Sequence, residues 1–450
     1  MPRINIQQTI DQGKLNKFFS LVYIICIFIV IFDGYDMNIF GPITPLLMED
    51  LHLNAAQTGL LASYALYGML VGSIVFGVFA DKIGQKKAIM IGIVVYGLFT
   101  GLTGHANTPT MLGICRFIAG FGIGGVVPNV IAYVTEFTPK ANRGTMTSWV
   151  SIGINFGAIL AAGLSILFLQ KFGWRFMFWI AYLPIIIVLL IHFFLPETMI
   201  SYYRKGNKAK IQETLQRANA DYIPSADDEF VLDHAEVSKV PLVSLFKDGF
   251  ARNTILVWIC YFMNLYMTFG INTWLPKLMM AKGYPLGNSL WLLLIFNTGT
   301  IIGTTFGAWA APKYGYKKII IAYYAVGAIL ICLLSIKFSF AMLGVILFII
   351  GAIVLGINSM FNSYVSLCYP VTFRSTALGC GLGIGRLGGA AGPIIGGFLL
   401  VANVPMFFNF LAFAIPAVLG AIAIFATIDY TKTLTAKSAA TDQDLKAAGH

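Results

Sequence analysis

The chain has 450 residues, of which 58% are hydrophobic and only 11% charged, with a mean hydropathy of +0.80; soluble domains carry roughly 25% charged residues. This excludes a soluble enzyme or binding domain and gives an integral membrane protein. The net charge of +11 does not indicate nucleic acid, because the basic residues are scattered over short loops and form no patch interleaved with aromatics.

Read in chain order, apolar runs bounded by charged or Gly/Pro breaks predict twelve spans. A polar stretch through Lys17 precedes the first run and no small-residue cleavage site follows, so a cleavable leader is not expected. Residues 1–17 read as a cytoplasmic N-terminus. Spans near 18–41, 56–80, 87–104, 109–135, 144–168 and 173–195 make an N-terminal bundle over 18–197. The polar stretch 198–250, with Arg204, Lys205, Lys208, Lys210 and Arg217, reads as a partly helical inter-domain loop on the cytoplasmic surface. Spans near 251–275, 288–311, 317–336, 340–368, 373–401 and 404–428 make a C-terminal bundle over 251–428, and 429–450 reads as a disordered cytoplasmic tail. The expected fold class is all-α and integral to the membrane, with two six-helix bundles. Most of the 30 Lys and Arg fall on the side of the termini and central loop, with Lys171, Arg175, Lys277, Lys282 and Lys337 opposite. The positive-inside rule then puts both termini in the cytoplasm.

The cysteines, Cys26, Cys115, Cys260, Cys332, Cys368 and Cys380, lie inside or at the ends of expected spans with no CxxC, and the five histidines form no HxxxH or HExxH. Neither a disulfide nor a metal is expected. An internal repeat supports the two halves. A shift of 231 residues places Lys82-Ile83-Gly84-Gln85-Lys86-Lys87 on Lys313-Tyr314-Gly315-Tyr316-Lys317-Lys318, Pro139 on Pro370 and Arg143 on Arg374. Parallel six-helix repeats that hold substrate near the midplane are a known transporter plan.

Ionisable groups inside spans mark functional candidates. Asp33 and Asp36, in Asp33-Gly34-Tyr35-Asp36, are three residues apart in the first span and share a face at about 5–6 Å. Their repulsion favours keeping a proton on one of them, unless both sit in interfacial water at a helix end. Arg116 lies roughly 10 Å into the fourth span and Asp33 roughly 14 Å from the same face, which permits a pair that is either permanent or broken during transport. Arg386, near the midplane of the eleventh span, presents a planar fork that suits a substrate carboxylate; pairing with a carbonyl or lining a gate is the alternative. Its repeat mate is Asn155 and that of Asp33 is Asn264, so the first half is expected to handle the proton and the second to help hold the anion. Tyr64, Tyr67, Asn155, Asn272, Asn358 and Asn362 each need a partner within the membrane. All but Tyr67 are taken with Arg386 as candidate substrate contacts, and which of them line a cavity is open. The many glycines of span eleven, with Pro393, suit close packing and bending. Gly77, Asp81, Lys82, Gly84, Lys86 and Lys87 are placed at a gate after the second span, although a positive-inside anchor also explains the lysines. Arg143 and Arg374 are expected to latch onto acids such as Glu136 or Glu197.

Three of these stretches carry a resemblance. Gly77-Val78-Phe79-Ala80-Asp81-Lys82-Ile83-Gly84-Gln85-Lys86-Lys87, Arg116-Phe117-Ile118-Ala119-Gly120-Phe121-Gly122-Ile123-Gly124 and Pro196-Glu197-Thr198 resemble signature motifs of the major facilitator superfamily. With Asp33-Gly34-Tyr35-Asp36, the chain is similar to the aromatic acid:proton symporter family. The second-half loop departs from this, with Ala311-Pro312 opposite Ala80-Asp81. The resemblance implies a monomeric bacterial inner-membrane symporter that imports benzoate or hydroxybenzoates by alternating access, with the matching arginine and both aspartates in transport. It needs no cofactor and runs on the proton gradient. Another organic anion, such as a dicarboxylate or muconate, is the alternative substrate, and a transporter-like sensor the alternative from another class. A sensor would call for a long soluble domain, and an intramembrane enzyme for a metal or nucleophile constellation.

Overall fold

The helices stop where the sequence withdraws a donor or supplies a cap. The Asn16 side chain accepts hydrogen bonds from Phe18 N and Phe19 N, Thr108 caps a helix with Pro109 at its first position, and Ser339 accepts from Met342 N. A computed structural model describes residues 3–13, 16–219, 221–225, 227–232, 242–247, 249–370 and 373–428. The expected tail, 429–450, lies outside the described residues.

In order, the elements are β1 (Arg3–Asn5), α1 (Ile6–Asp11), α2 (Lys17–Asn38), α3 (Phe40–Asp50), α4 (Ala55–Ile83), α5 (Gln85–Thr103), α6 (Pro109–Phe137), α7 (Arg143–Leu164), α8 (Gln170–Trp179), α9 (Leu183–Phe194), α10 (Met199–Arg204), α11 (Lys208–Ala218) and β2 (Glu229–Val231). There follow α12 (Ala251–Ala281), α13 (Leu286–Tyr314), α14 (Tyr316–Leu333), α15 (Phe340–Cys368), α16 (Arg374–Val401) and α17 (Met406–Ala426). Eleven helical stretches among the described residues are long and apolar enough to cross a membrane. One of them, Arg143–Phe194, is 52 residues long and reverses at Gly173, whose φ of 78° and ψ of 175° no helix contains. It is long enough for two crossings, which makes room for twelve among the described residues.

Several bounds differ from expectation for local reasons. The first span does not end at 41 but continues as α3 to Asp50. Pro42 has no N–H to return to Asn38, so the ladder is interrupted around Ile39 while the backbone there stays helical, at φ −70° and ψ −24°. The seventh span runs on to Ala281 past Pro276.

Two compact units form, Met1–Leu53 with Leu61–Val237, and Asn54–Leu60 with Ser238–His450. Within each, close helix packing follows the 231-residue shift. In the first, a Cβ added to Gly68, Gly72 or Gly120 would strike the carbonyl oxygens of Phe117, Phe121 and Ala65. In the second, Gly299, Gly303 and Gly351 meet those of Phe348, Ala352 and Phe296 in the same way. Small residues that let backbones touch are the usual glue between helices in lipid, where burial alone provides little drive.

The first unit also has a small extramembrane layer that composition did not reveal. β1 pairs in parallel with β2, Arg3 opposite Glu229 and Asn5 opposite Val231. Asn219 Nδ2 donates to Thr9 O at 3.0 Å and Asn16 Nδ2 to Arg217 O at 2.8 Å. Ile6 and Ile10 of α1 and Ile211 and Leu215 of α11 are buried there. Burial works against the charge of Asp228, but hydrogen bonds from Ser225 N, the Tyr222 hydroxyl and Gln212 hold its carboxyl below the usual carboxylate range.

Candidate functional site

Asp33 and Asp36 lie in the last two turns of α2, both fully buried. Gly34 between them sits against α7 so closely that a Cβ would strike the Ile154 carbonyl oxygen. The Tyr35 hydroxyl donates to Met177 O of α8 at 2.6 Å. The tetrapeptide is therefore fixed on two sides by its own intervening residues.

Arg116, 1% exposed, reaches Asp36 and not the expected Asp33: its Nη1 lies 2.8 Å from Asp36 Oδ1, and Nη2 is 3.4 Å from the Asp36 carbonyl oxygen. The two aspartates are one turn apart, and the turn nearer α3 faces α6. The guanidinium is flanked by the rings of Phe40 and Phe178, at 6.0 and 5.7 Å to the centroids. Asp36 Oδ2 and Arg116 Nε have no hydrogen-bond partner among the described residues. The pair is thus buried, bonded through one carboxylate oxygen and enclosed by aromatic carbon. Such a pair is tightly held while intact and costly to split without a replacement charge.

Two candidate substrate contacts flank this cluster in the first unit. Tyr64's ring lies over Gly113, one turn before Arg116. Asn155, 9% exposed, follows the Ile154 that meets Gly34. The others belong to the second unit. Arg386 is half-buried on α16, and the neighbouring Gly385 packs on Leu265 and Tyr261 of α12. The Tyr261 hydroxyl donates to Asn362 Oδ1 at 2.6 Å, which brings Asn362 to the level of Arg386. Asn358, one turn earlier on α15, has a buried Oδ1 with no partner among the described residues. Asn272 lies eleven residues beyond Tyr261 on α12, roughly 16 Å further along the axis, and so does not join that group.

The loop residues make a different arrangement from the expected latch. Gly84 has a φ of 98°, open to glycine alone without strain, and a Cβ there would meet the Glu197 carboxylate at 2.8 Å. Glu197 Oε1 accepts from Lys86 N, at the start of α5, at 3.2 Å, while Lys86 Nζ donates to Leu195 O at 2.6 Å and His192 O at 2.9 Å at the end of α9. A carboxylate on the first turn of one helix and an ammonium on the last turn of another both oppose the local dipole correctly. Two motifs far apart in sequence thus form one clasp. Arg143 binds Asp11 at 2.5 Å and Thr138 O at 3.2 Å, and Arg374 binds Tyr369 O at 3.5 Å. Neither takes Glu136 or Glu197, because Glu197 caps α5 and Glu136 accepts from Ile200 N. Lys82 and Lys87 are exposed and Gly77 has open space around it. The side chain of Asp81 lies outside the described residues.

The second unit repeats the scaffold without the ionic core. Gly315, with φ 96°, matches Gly84, and Lys317 Nζ donates to Thr427 O at 2.7 Å as Lys86 does to the end of α9. A hydroxyl pair recurs with its members exchanged: Tyr23 to Thr138 at 2.8 Å, and Thr254 to Tyr369 at 3.0 Å. At the positions of Asp33, Asp36 and Arg116, however, stand Asn264, Met267 and Leu347. Among the described residues no group of His, Cys, Asp and Glu is placed to hold a metal.

The family model described as Major Facilitator Superfamily matches residues 26–370. A benzoate transport protein of Acinetobacter baylyi is 37% identical over 433 residues, 95% of this chain and 93% of that protein. A gentisate transporter of Corynebacterium glutamicum is 32% identical over 90% of this chain and 87% of its own. Among solved structures, a D-xylose-proton symporter superposes with a TM-score of 0.70 at 17% identity, covering 91% of this chain and 97% of that one. The chain belongs to the Major Facilitator Superfamily, in its aromatic acid family, and is a multi-pass membrane transporter, not an enzyme.

Proposed function

We propose that the protein is a proton-coupled symporter that imports a small aromatic carboxylate of the benzoate or hydroxybenzoate class across the bacterial inner membrane. It works as a monomer with both termini in the cytoplasm. The reading is supported by the names of the relatives and, above all, by the buried Asp36–Arg116 pair with Asp33 one turn away. A carboxylate whose partner is a single arginine can be protonated when the pair parts, and the proton leaves when it re-forms. Asp33, Asp36 and Arg116 carry the coupling. Arg386, with Asn358 and Asn362 nearby, receives the substrate carboxylate. The segment from Gly77 to Lys87 with Arg143 and Arg374 governs opening, and no cofactor takes part because the proton gradient supplies the work.

Uptake of labelled benzoate and 4-hydroxybenzoate into proteoliposomes tests this directly. Accumulation of either only under an inward proton gradient is expected; equal uptake with and without the gradient would remove the coupling, and no uptake of either would remove the substrate class. Arg386→Lys should weaken affinity for the anion about tenfold while leaving folded yield unchanged, because a point charge replaces a bidentate fork. An unchanged half-saturation concentration would sink the assignment of Arg386.

A further inference from the structure

The second unit carries positive charge with no acid of its own to oppose it. Residues 251–428 contain nine Lys and Arg and no Asp or Glu. Two of the nine, Lys282 and Lys337, stand at the same end of the bundle. Lys282, directly after α12, sends its ammonium to Leu334 O at 2.5 Å and Ile336 O at 2.6 Å, just past the end of α14, and the exposed Lys337 is the next residue. The same ammonium lies 5.8 Å from the centroid of the Phe410 ring on α17. Two of its three N–H donors are used in fixing it there. Neither lysine has an ion-pair partner among the described residues.

An apolar groove of about 480 Å³ begins at those lysines. It runs between α14 and α17, with Ala328, Cys332 and Ile336 on one side and Phe407, Leu411 and Val418 on the other. Ile336, whose carbonyl holds Lys282, is thus part of its wall. At the far end the helices touch, where the Tyr324 ring leaves no room for a Cβ on Gly420. From Phe407 to Val418 the groove extends roughly 16 Å along α17, about half of a hydrocarbon core some 30 Å thick. That is the depth of one leaflet. A partner's transmembrane helix would call for a seam across the whole core, whereas an acyl chain needs only this much.

The first unit offers a comparison in which the same furrow is filled. Under the 231-residue shift, Ala328 and Cys332 become Gly97 and Gly101. Ile185 of α9 packs on Gly97, and the Tyr182 ring packs on Gly101. The mate of Tyr182 is Phe413, which turns instead onto Gly270 of α12 and Gly396 of α16. Lys282 and Lys337 become Leu51 and Ala106. The two lysines accompany the open groove and are absent where it is filled.

We propose that this groove binds one acyl chain of an anionic phospholipid, whose phosphate rests on the Lys282 and Lys337 ammoniums. Lipid tails are as apolar as the helix surface, so the chain gains only dispersion contact in the groove. Selection therefore falls to the headgroup, which brings the negative charge that the bundle lacks.

Native mass spectrometry of the purified full-length protein, with phosphatidylglycerol or phosphatidylcholine added to the detergent, tests this. Phosphatidylglycerol should be retained in preference to phosphatidylcholine of the same chain length. Lys337→Gln should weaken phosphatidylglycerol binding about fivefold, the effect of one lysine beside an anionic headgroup, and leave phosphatidylcholine unchanged. Cys332→Phe, which fills the groove, should weaken both. Glycerol phosphate, which has the phosphate without the chains, should not displace the lipid. If Cys332→Phe does not fold, Lys337→Gln and the variant carrying both Lys282→Gln and Lys337→Gln decide alone. Equal retention of the two lipids by wild type, or phosphatidylglycerol retention unchanged in Lys337→Gln, overturns the proposal. Displacement by glycerol phosphate would make this a site for a free anion, and a dimer without bound lipid would give the groove to a second copy; either result overturns it as well.

Discussion

Asp36→Asn should destabilise the folded protein by about 3–5 kcal/mol, the usual consequence of stripping one partner from a buried pair, whereas Asp33→Asn should spare folding and abolish gradient-driven uptake. Arg116 sits on Asp36 at 1% exposure and is boxed by Phe40 and Phe178. Asparagine at 36 would leave a guanidinium flanked by aromatic rings without the carboxylate it bonds. The Asp33 carboxylate can be neutralised with that pair intact. Thermal unfolding in detergent and benzoate counterflow separate the two outcomes. Asp36→Asn should lower the unfolding midpoint clearly, and Asp33→Asn should retain counterflow while losing accumulation. Equal midpoints for both variants would mean that the ion pair does not bear on folding. Accumulation retained by Asp33→Asn would leave Asp33 without a coupling role.

Gly34→Ala should be nearly as damaging, although it adds one methyl group. The new Cβ has no room, since the Ile154 carbonyl already occupies its place. Relief requires α2 and α7 to separate along their length, which overpacking data put at about 1–3 kcal/mol or more. Separation also moves Asp33 and Asp36 away from α6 together. The variant should therefore lose both thermal stability and uptake, while Gly163→Ala, in open space on α7, should change neither. Wild-type stability in Gly34→Ala would show that the helices adjust without strain.

These two positions also show what the sequence makes legible. That two acids and an arginine lie at matching depth in the first and fourth spans follows from counting residues along helices of known rise. Which acid the arginine meets does not follow, because Asp33 and Asp36 differ by one turn, and the choice depends on how α2 rotates about its axis. That rotation is set by Gly34 on Ile154 and Tyr35 on Met177, contacts with residues more than a hundred positions away. The 231-residue repeat was visible in a loop and two single residues, and it reaches much further, into the glycine contacts of Gly68 and Gly299 and the exchanged hydroxyl pairs. Glu136 and Glu197 are the partners expected for Arg143. Its partner, Asp11, stands in a segment whose composition gives no sign of structure, since α1 has only six residues and its folding depends on α11.

The parallel pairing of β1 with β2 has a further consequence for how the molecule is made. Residues 3–5 are synthesised long before the strand they join, which lies at 229–231. At about 5–20 residues per second, synthesis takes on the order of 11–45 seconds to deliver that partner. Throughout that interval the N-terminal strand, Ile6 and Ile10 stay unsatisfied while six hydrophobic segments are inserted one after another. The strand can close only once the first six crossings have been completed in order. Its pairing thus depends on the whole of the first half having been made.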